Sequence, residues 1–511
     1  MDRQPPHPSS APTGPLPLEP SPAQTRELID QVLSLFGDQR TGRRGAGSGP
    51  AAETPDLVRR LVEQRPGAAA SSQEAFGLLA EVVAADGEST SGGDLAYIPG
   101  SGLVTSAVAD LIASLLNRYT GLPGIAPAAV ALEAGVLRWL CETFQLPPQS
   151  QAVLLSGGSI ANLSALVAAR ERLGTAEGAR VYVGVHAHAS VRKAARIVGL
   201  RAEQVRVCAS SDGLRLDPEA VRLAVKEDLA EGWRPMAIVA AAGTTNAGAV
   251  DPLDELADLA REVGTWLHVD AAYGGFFQLT ARGRARMSGI ERADSITLDP
   301  HKSLFLPFGT GALLVRDRVD LQRAFAEEAD YLRDLDDDAG LPDFSELTPE
   351  LTRAWRGLRL WLPLQLHGVA AFAEALDERL TLAEQAWAHL EADPRVRTWG
   401  PPDLSIVPFR AAGDDATQDR LRSRIHAEGA VRLSSTVIDG DVALRLAVLS
   451  HRTSPATVSQ ALELITAGLD DELGPGRLRA ADPRGPGRDA AVGPGHPTSR
   501  RSPPGWRPRR A

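Results

Sequence analysis

Apolar positions in the first quarter of the chain recur at helical spacing. From Thr25, a candidate N-cap, Leu28, Ile29, Val32, Leu33 and Phe36 fall on one face before Gly37. That spacing predicts an amphipathic helix that needs a surface to lie on. Further helices are expected near Pro55 to Gln64, Gln73 to Ala84, Val104 to Arg118 and Pro127 to Phe144. Between them Ser91 to Gly102 is glycine-rich and reads as a loop, with Tyr97, Ile98 and Pro99 together as a possible pocket wall.

From about residue 150 to 320 the pattern changes, and short β-branched runs alternate with helical stretches. The expected strands are Ala152 to Leu155, Val181 to Val185, Val205 to Val207, Met236 to Ala242, Trp266 to Val269, Ser295 to Leu298 and Gly311 to Val315. This is the signature of an α/β fold, a mostly parallel seven-stranded sheet with helices on both faces. Past about 320 the chain turns helical, and Val396 to Val448 reads as a smaller α+β domain. The organisation expected is a disordered leader (1–22), an N-terminal helical segment (23–120), a large domain (121–390), a small domain (391–473) and a disordered tail (474–511).

Composition narrows the class. No run approaches the roughly 18 apolar residues a membrane helix needs, and the proline-rich start lacks a basic then apolar signal, so a soluble, cytoplasmic protein is expected. The net charge is −11, and the last 38 residues, Gly474 to Ala511, hold nine Arg against two Asp, so the body is more acidic than the whole. An acidic body argues against a nucleic-acid enzyme, and the Arg-rich end reads as a solvated terminus. The two cysteines, Cys141 and Cys208, match no metal spacing, and no metal site is expected.

Candidate chemistry gathers at strand ends, where open α/β sheets bind ligands. Lys302 follows a strand in Asp299-Pro-His-Lys302 and precedes an apolar run, a setting that favours a nucleophilic amine. Asp270 closes the strand Trp266-Leu-His-Val-Asp270, where a carboxylate needs a cation or donor. Ser156-Gly-Gly-Ser159 links a strand to a helix and resembles a phosphate cup, without the spacing of a P-loop or dinucleotide fingerprint. Gly243-Thr-Thr245 follows a fourth strand and offers small residues beside a flat ligand, and His188 follows a fifth. Each has an ordinary alternative: a surface lysine, a helix-capping aspartate, a plain tight turn, an exposed histidine. Together they provide for the phosphate, ring face, ring nitrogen and aldehyde of pyridoxal 5'-phosphate.

At these residues the sequence resembles the group II pyridoxal-phosphate-dependent amino-acid decarboxylases, which include the aromatic L-amino-acid and glutamate decarboxylases. The resemblance runs from about Glu74 to Thr453, with Asp299-Pro-His-Lys302 its most specific motif. It implies a fold-type I enzyme in which Lys302 carries the coenzyme, Asp270 pairs with the pyridine nitrogen, and Ala272 and His188 lie on opposite ring faces. It also implies Gly158, Ser159 and His301 at phosphate-binding positions, with Asp299 beside them and Thr245 near the ring. Tyr331 matches the tyrosine of a loop over the active site that delivers a proton to the substrate Cα; relatives with Phe there tend to give aldehydes. The Tyr97-Ile98-Pro99 loop corresponds to the substrate-facing loop but lacks its usual double aromatic. Ser450, in place of a common Asn, and Ile160, in place of an acidic residue, also depart from the pattern.

The resemblance implies carboxylic-acid metabolism by a homodimer, with the N-terminal helices embracing the partner. The Leu28 to Phe36 face fits that use, although a helix packed on its own core reads the same. An aromatic L-amino acid is the expected substrate, because the Tyr97 loop is apolar and holds no lysine or arginine. The rivals are decarboxylation of an aliphatic or acidic amino acid, an aldehyde-forming reaction, and a catalytically idle binding homologue. A serine hydrolase lacks its Gly-x-Ser-x-Gly elbow.

Overall fold

All seven runs expected as strands form, and they make one sheet. The computed structural model describes residues 16–42, 54–65, 67, 70–86, 90–211, 214–327 and 340–474. Numbered along the chain, β1 (Asp94–Leu95) belongs to a second sheet. The large sheet contains β2 (Gln151–Leu155), β3 (Ala179–Gly184), β4 (Val205–Cys208), β5 (Arg234–Ala241), β6 (Trp266–Asp270), β7 (Ser295–Leu298) and β8 (Gly311–Val315). Their order is β2-β8-β7-β6-β5-β3-β4. Only β8 runs against its neighbours β2 and β7, so the other six strands end on one edge. Every residue of β6, β7 and β8 is buried, and β8 accordingly reads as a continuous apolar run rather than an alternating one.

The second sheet has the order β1-β11-β12-β10-β9, adding β9 (Val396–Thr398), β10 (Ile406–Ala411), β11 (Arg432–Ile438) and β12 (Asp441–Ala447). Its edge strand β1 comes from the segment read as a loop. Asp94 and Leu95 pair in parallel with Arg432 and Leu433, and the Arg432 guanidinium donates to both Asp94 oxygens at 2.9 and 2.8 Å. Two residues are too few to show a period, and their partner lies 338 positions away.

The first helix also departs from expectation, spanning Pro22–Gly42 rather than starting at Thr25 and stopping at Gly37. Proline suits a first helical turn, and one glycine costs a helix only about 1 kcal/mol. The helix Gly357–Ala392 kinks at Gly368 (φ 72°) and serves both cores. Phe372, Leu376 and Leu380 pack with the large sheet, while Leu382, Ala386 and Leu390 pack with the small one. Among the described residues no helix is long and apolar enough to cross a membrane. The expected leader and tail lie largely outside the described residues, which begin at 16 and end at 474.

Candidate active site

The shared edge of the sheet gathers side chains from five strand ends. After β2 the chain turns through Ser156 and Gly157 into the helix Gly158–Leu173, and after β7 it enters a short helix, Pro300–Ser303, that carries His301 and Lys302. A cavity of about 290 Å³ is lined by Gly157, Gly158, Ser159, Asp299, His301 and Lys302 among others. A smaller one, about 20 Å³, is lined by Thr244, Thr245, Asp270 and Tyr273 among others. The two share His188, Ala272 and Lys302.

Lys302 is held from several sides. Its ammonium sits 2.8 Å from Asp299 Oδ2, and its backbone N–H donates to Asp299 O at 2.9 Å. The next residue, Ser303, donates its hydroxyl to Tyr273 O at 2.8 Å. Phe305 then adopts φ 64°, a conformation costly for a bulky residue, and its carbonyl accepts the Leu103 N–H at 2.7 Å. This pins the end of the Tyr97 loop onto the lysine segment. Phe308 lies against the same loop, where a Cβ on Gly100 would stand 2.6 Å from its ring.

Asp270 is 8 % exposed and accepts two hydrogen bonds, from Asn162 Nδ2 at 2.8 Å and from the Ala272 N–H at 3.2 Å. Behind it lies a chain of polar groups whose protons can be assigned one by one. Ser295 Oγ accepts the Trp266 indole N–H at 2.7 Å, so its own proton goes to His268 Nδ1 at 2.8 Å. His268 Nε2–H then donates to Asn162 Oδ1 at 3.0 Å. Burial pushes His268 well below its ordinary range against the pull of Asp270, which keeps the ring neutral as this pattern requires. Asn162 directs its amide protons to Asp270 Oδ2 and, at 2.9 Å, to Ser190 Oγ. Ser190 in turn donates to His188 Nδ1 at 2.7 Å, and that nitrogen also accepts the Ser190 N–H at 3.2 Å. His188 Nε2 is left to carry the ring proton.

Replacing Asn162 with Leu would therefore strip one donor each from Asp270 Oδ2 and Ser190 Oγ, and from His268 Nε2–H the acceptor at 3.0 Å. The expected outcome is a stability loss of about 2 kcal/mol or more by thermal melting, with turnover reduced about tenfold. An unchanged melting temperature together with unchanged turnover would show that the amide holds neither carboxylate nor histidine.

The structure brings together ten of the residues singled out by sequence. Gly158, Ser159, His188, Thr245, Asp270, Ala272, Asp299, His301 and Lys302 line the two cavities. Tyr97 joins them indirectly: its N–H donates to Ser434 Oγ, which accepts from Arg445, and Arg445 also donates to Thr245 O. Ile98 is half-buried and Pro99 buried in the same loop. Tyr331 lies outside the described residues.

Sequence reasoning missed Asn162, Ser190, His268 and Arg445. His268 was accessible to it, since two residues before Asp270 on a strand means the same face. Arg445 carried no local signal. Its head is buried, its two terminal nitrogens go to Thr245 O and Ser434 Oγ, and burial lowers its pKa.

The donor set fits pyridoxal 5'-phosphate. Gly158 leaves the first helical turn open, since a Cβ there would stand 2.8 Å from Asp299 Oδ2 and 3.1 Å from Ala272 Cβ. Helix N–H groups at such a turn suit a phosphate. Asp270 offers a carboxylate for a ring nitrogen, and Lys302 an amine for an aldehyde.

Comparison with known proteins agrees. The description "Pyridoxal-dependent decarboxylase conserved domain" matches residues 95–412. The chain is 35% identical over 384 residues to an aromatic-L-amino-acid decarboxylase of Bacillus atrophaeus, covering 73% of this chain and 80% of that protein. It is 36% identical over 372 residues to an L-2,4-diaminobutyrate decarboxylase of Rhizobium meliloti (strain 1021), covering 71% and 74%. The crystal structure of Oryza sativa TDC with PLP and tryptamine superposes with a TM-score of 0.83 at 26% identity, over 88% of this chain and 98% of that one.

Proposed function

Because the chain belongs to the pyridoxal-dependent decarboxylase family, and is thus a pyridoxal-phosphate-dependent amino-acid carboxy-lyase, we propose that it converts an aromatic L-amino acid to its amine and CO2. One observation carries the substrate choice. The Tyr97-Ile98-Pro99 loop, the end of which is pinned at Leu103 to the lysine segment, is apolar, and the nearby Arg445 has both terminal nitrogens already bonded to protein. A flat apolar side chain suits such a wall, while a side-chain carboxylate would lack a ready cation.

The bound coenzyme supplies an electron sink for the pair left at Cα when CO2 departs. In this reading the Lys302 amine would hold the coenzyme through its aldehyde. Asp270 keeps a proton on the ring nitrogen, since a carboxylate within hydrogen-bond range favours the protonated form. His188, Ala272 and Thr245, which line one cavity, would hold the ring. Gly158, Ser159 and His301 hold the phosphate. Tyr331 returns a proton to Cα, which favours amine over aldehyde.

We place a second copy of the chain against the exposed apolar faces. Val32, Leu33 and Phe36 on the first helix, and Leu111, Leu115 and Leu116 on the helix Val104–Leu116, are all exposed in the single chain.

The test is a mass-spectrometric screen of the purified protein with pyridoxal phosphate and each common amino acid, L-DOPA and 5-hydroxytryptophan. Amines from aromatic substrates are expected. Preferential turnover of glutamate, aspartate or diaminobutyrate would overturn the substrate assignment. Tyr331→Phe is expected to divert product from amine toward aldehyde, and an unchanged product would remove Tyr331 from its role.

A further inference from the structure

The cup assigned to the coenzyme phosphate contains a carboxylate. Asp299 is 2 % exposed, with Oδ2 2.8 Å from Lys302 Nζ and 3.7 Å from His301 Nε2. Its Oδ1, also buried, has no hydrogen-bond partner. The carboxylate lies against the opening turn of the helix Gly158–Leu173, the place a phosphate would take, so two anions compete for the same positive helix end.

The surroundings do little to neutralise that second charge. The first helical turn contributes Gly158, Ser159 and Ile160, with no cation. From β6 comes Asp270, another carboxylate, and from the helix after β3 comes His188. His301 Nδ1–H donates to Thr310 O at 2.6 Å, so the neutral ring turns an Nε2 lone pair toward Asp299. Burial holds His301 below its ordinary value, although Asp299 pulls the other way. Three arginines near the start of the long helix each have an acid already: Arg353 with Glu133 and Arg356 with Glu350, both at 2.5 Å, and Arg359 with Asp110. Among the described residues lining the cup, only Lys302 brings a fixed positive charge, and it is the group that must lose its proton to form an imine.

We propose that binding of the coenzyme phosphate is coupled to uptake of one proton by Asp299, so that this residue weakens coenzyme binding as pH rises. The proton comes from solvent and bonds to a carboxylate oxygen. The neutral acid then offers the phosphate an O–H donor instead of a like charge. This rests on the phosphate placement proposed above.

The test compares two ligands on the full-chain holoenzyme dialysed to equilibrium between about pH 7 and pH 9, with bound ligand read by absorbance. Pyridoxal lacks the phosphate and cyclises to a hemiacetal when free, an effect that cancels between native and variant protein at one pH, so the ratio of the pyridoxal to the pyridoxal phosphate dissociation constant, compared between them, isolates the phosphate contribution. In the native protein that ratio is expected to fall up to about tenfold per pH unit, the slope for one proton. In Asp299→Asn it should be nearly flat and about tenfold or more larger at the alkaline end. Asp299→Glu should keep the slope, and Asp299→Ser serves if the amide disturbs folding. A smaller ratio in Asp299→Asn than in the native protein would overturn the inference while leaving the phosphate in the cup. An identical ratio at every pH would overturn it together with the phosphate placement.

Discussion

Lys302→Ala is expected to lose turnover by at least about 10³-fold and to lose the absorbance of the protein-bound coenzyme imine, because among the described residues no other amine lines either cavity. The substitution has a second consequence. Asp299, 2 % exposed, would lose the ammonium that stands 2.8 Å away. Removing the cation from this partly buried pair is destabilising, so a lower melting temperature is expected as well. Lys302→Arg separates the two effects. It restores a cation opposite Asp299 but offers no amine that loses a proton near neutral pH, so stability should recover and turnover should not. Measurable decarboxylation by either variant would remove Lys302 from the coenzyme linkage.

Asp270→Asn is expected to reduce turnover by about one to three powers of ten, the range over which a neighbouring carboxylate shifts the protonation of its partner. The coenzyme should still bind, because the phosphate cup and Lys302 are untouched. The amide also conflicts with the network behind it. Asp270 Oδ2 accepts from Asn162 Nδ2 and Oδ1 from the Ala272 N–H, so an NH₂ group at either position faces a donor. A coenzyme methylated on its ring nitrogen carries a permanent positive charge and needs no carboxylate to hold a proton. Rescue of Asp270→Asn by that analogue is the expected result. Full activity of the variant with ordinary coenzyme would mean that Asp270 plays no part at the ring nitrogen.

The sequence by itself determined the elements of the large sheet and the identity of the residues at its carboxyl edge. Apolar runs such as Trp266 to Val269 and Gly311 to Val315 have little choice but to be buried strands, and whatever follows a strand in such a sheet stands at the ligand edge. Lys302, Asp270, Gly158 and His188 were legible for that reason, each lying within a few residues of a strand end. Only the tertiary structure decided which of these groups touch. That Asn162 joins Asp270 to Ser190 and so to His188, that β1 is borrowed by the small sheet, and that Arg445 connects the Tyr97 loop to Thr245 depend on pairings across 28 to 338 positions. Chain-local periodicity carries no information at that distance, because the energy of such contacts is realised only when separate elements pack. The packing of the Asp299 carboxylate against the opening turn of the helix Gly158–Leu173 was hidden for the same reason. Asp299 stands in the most recognisable motif of the chain, yet the close approach of its Oδ2 to Gly158 appears only in the fold.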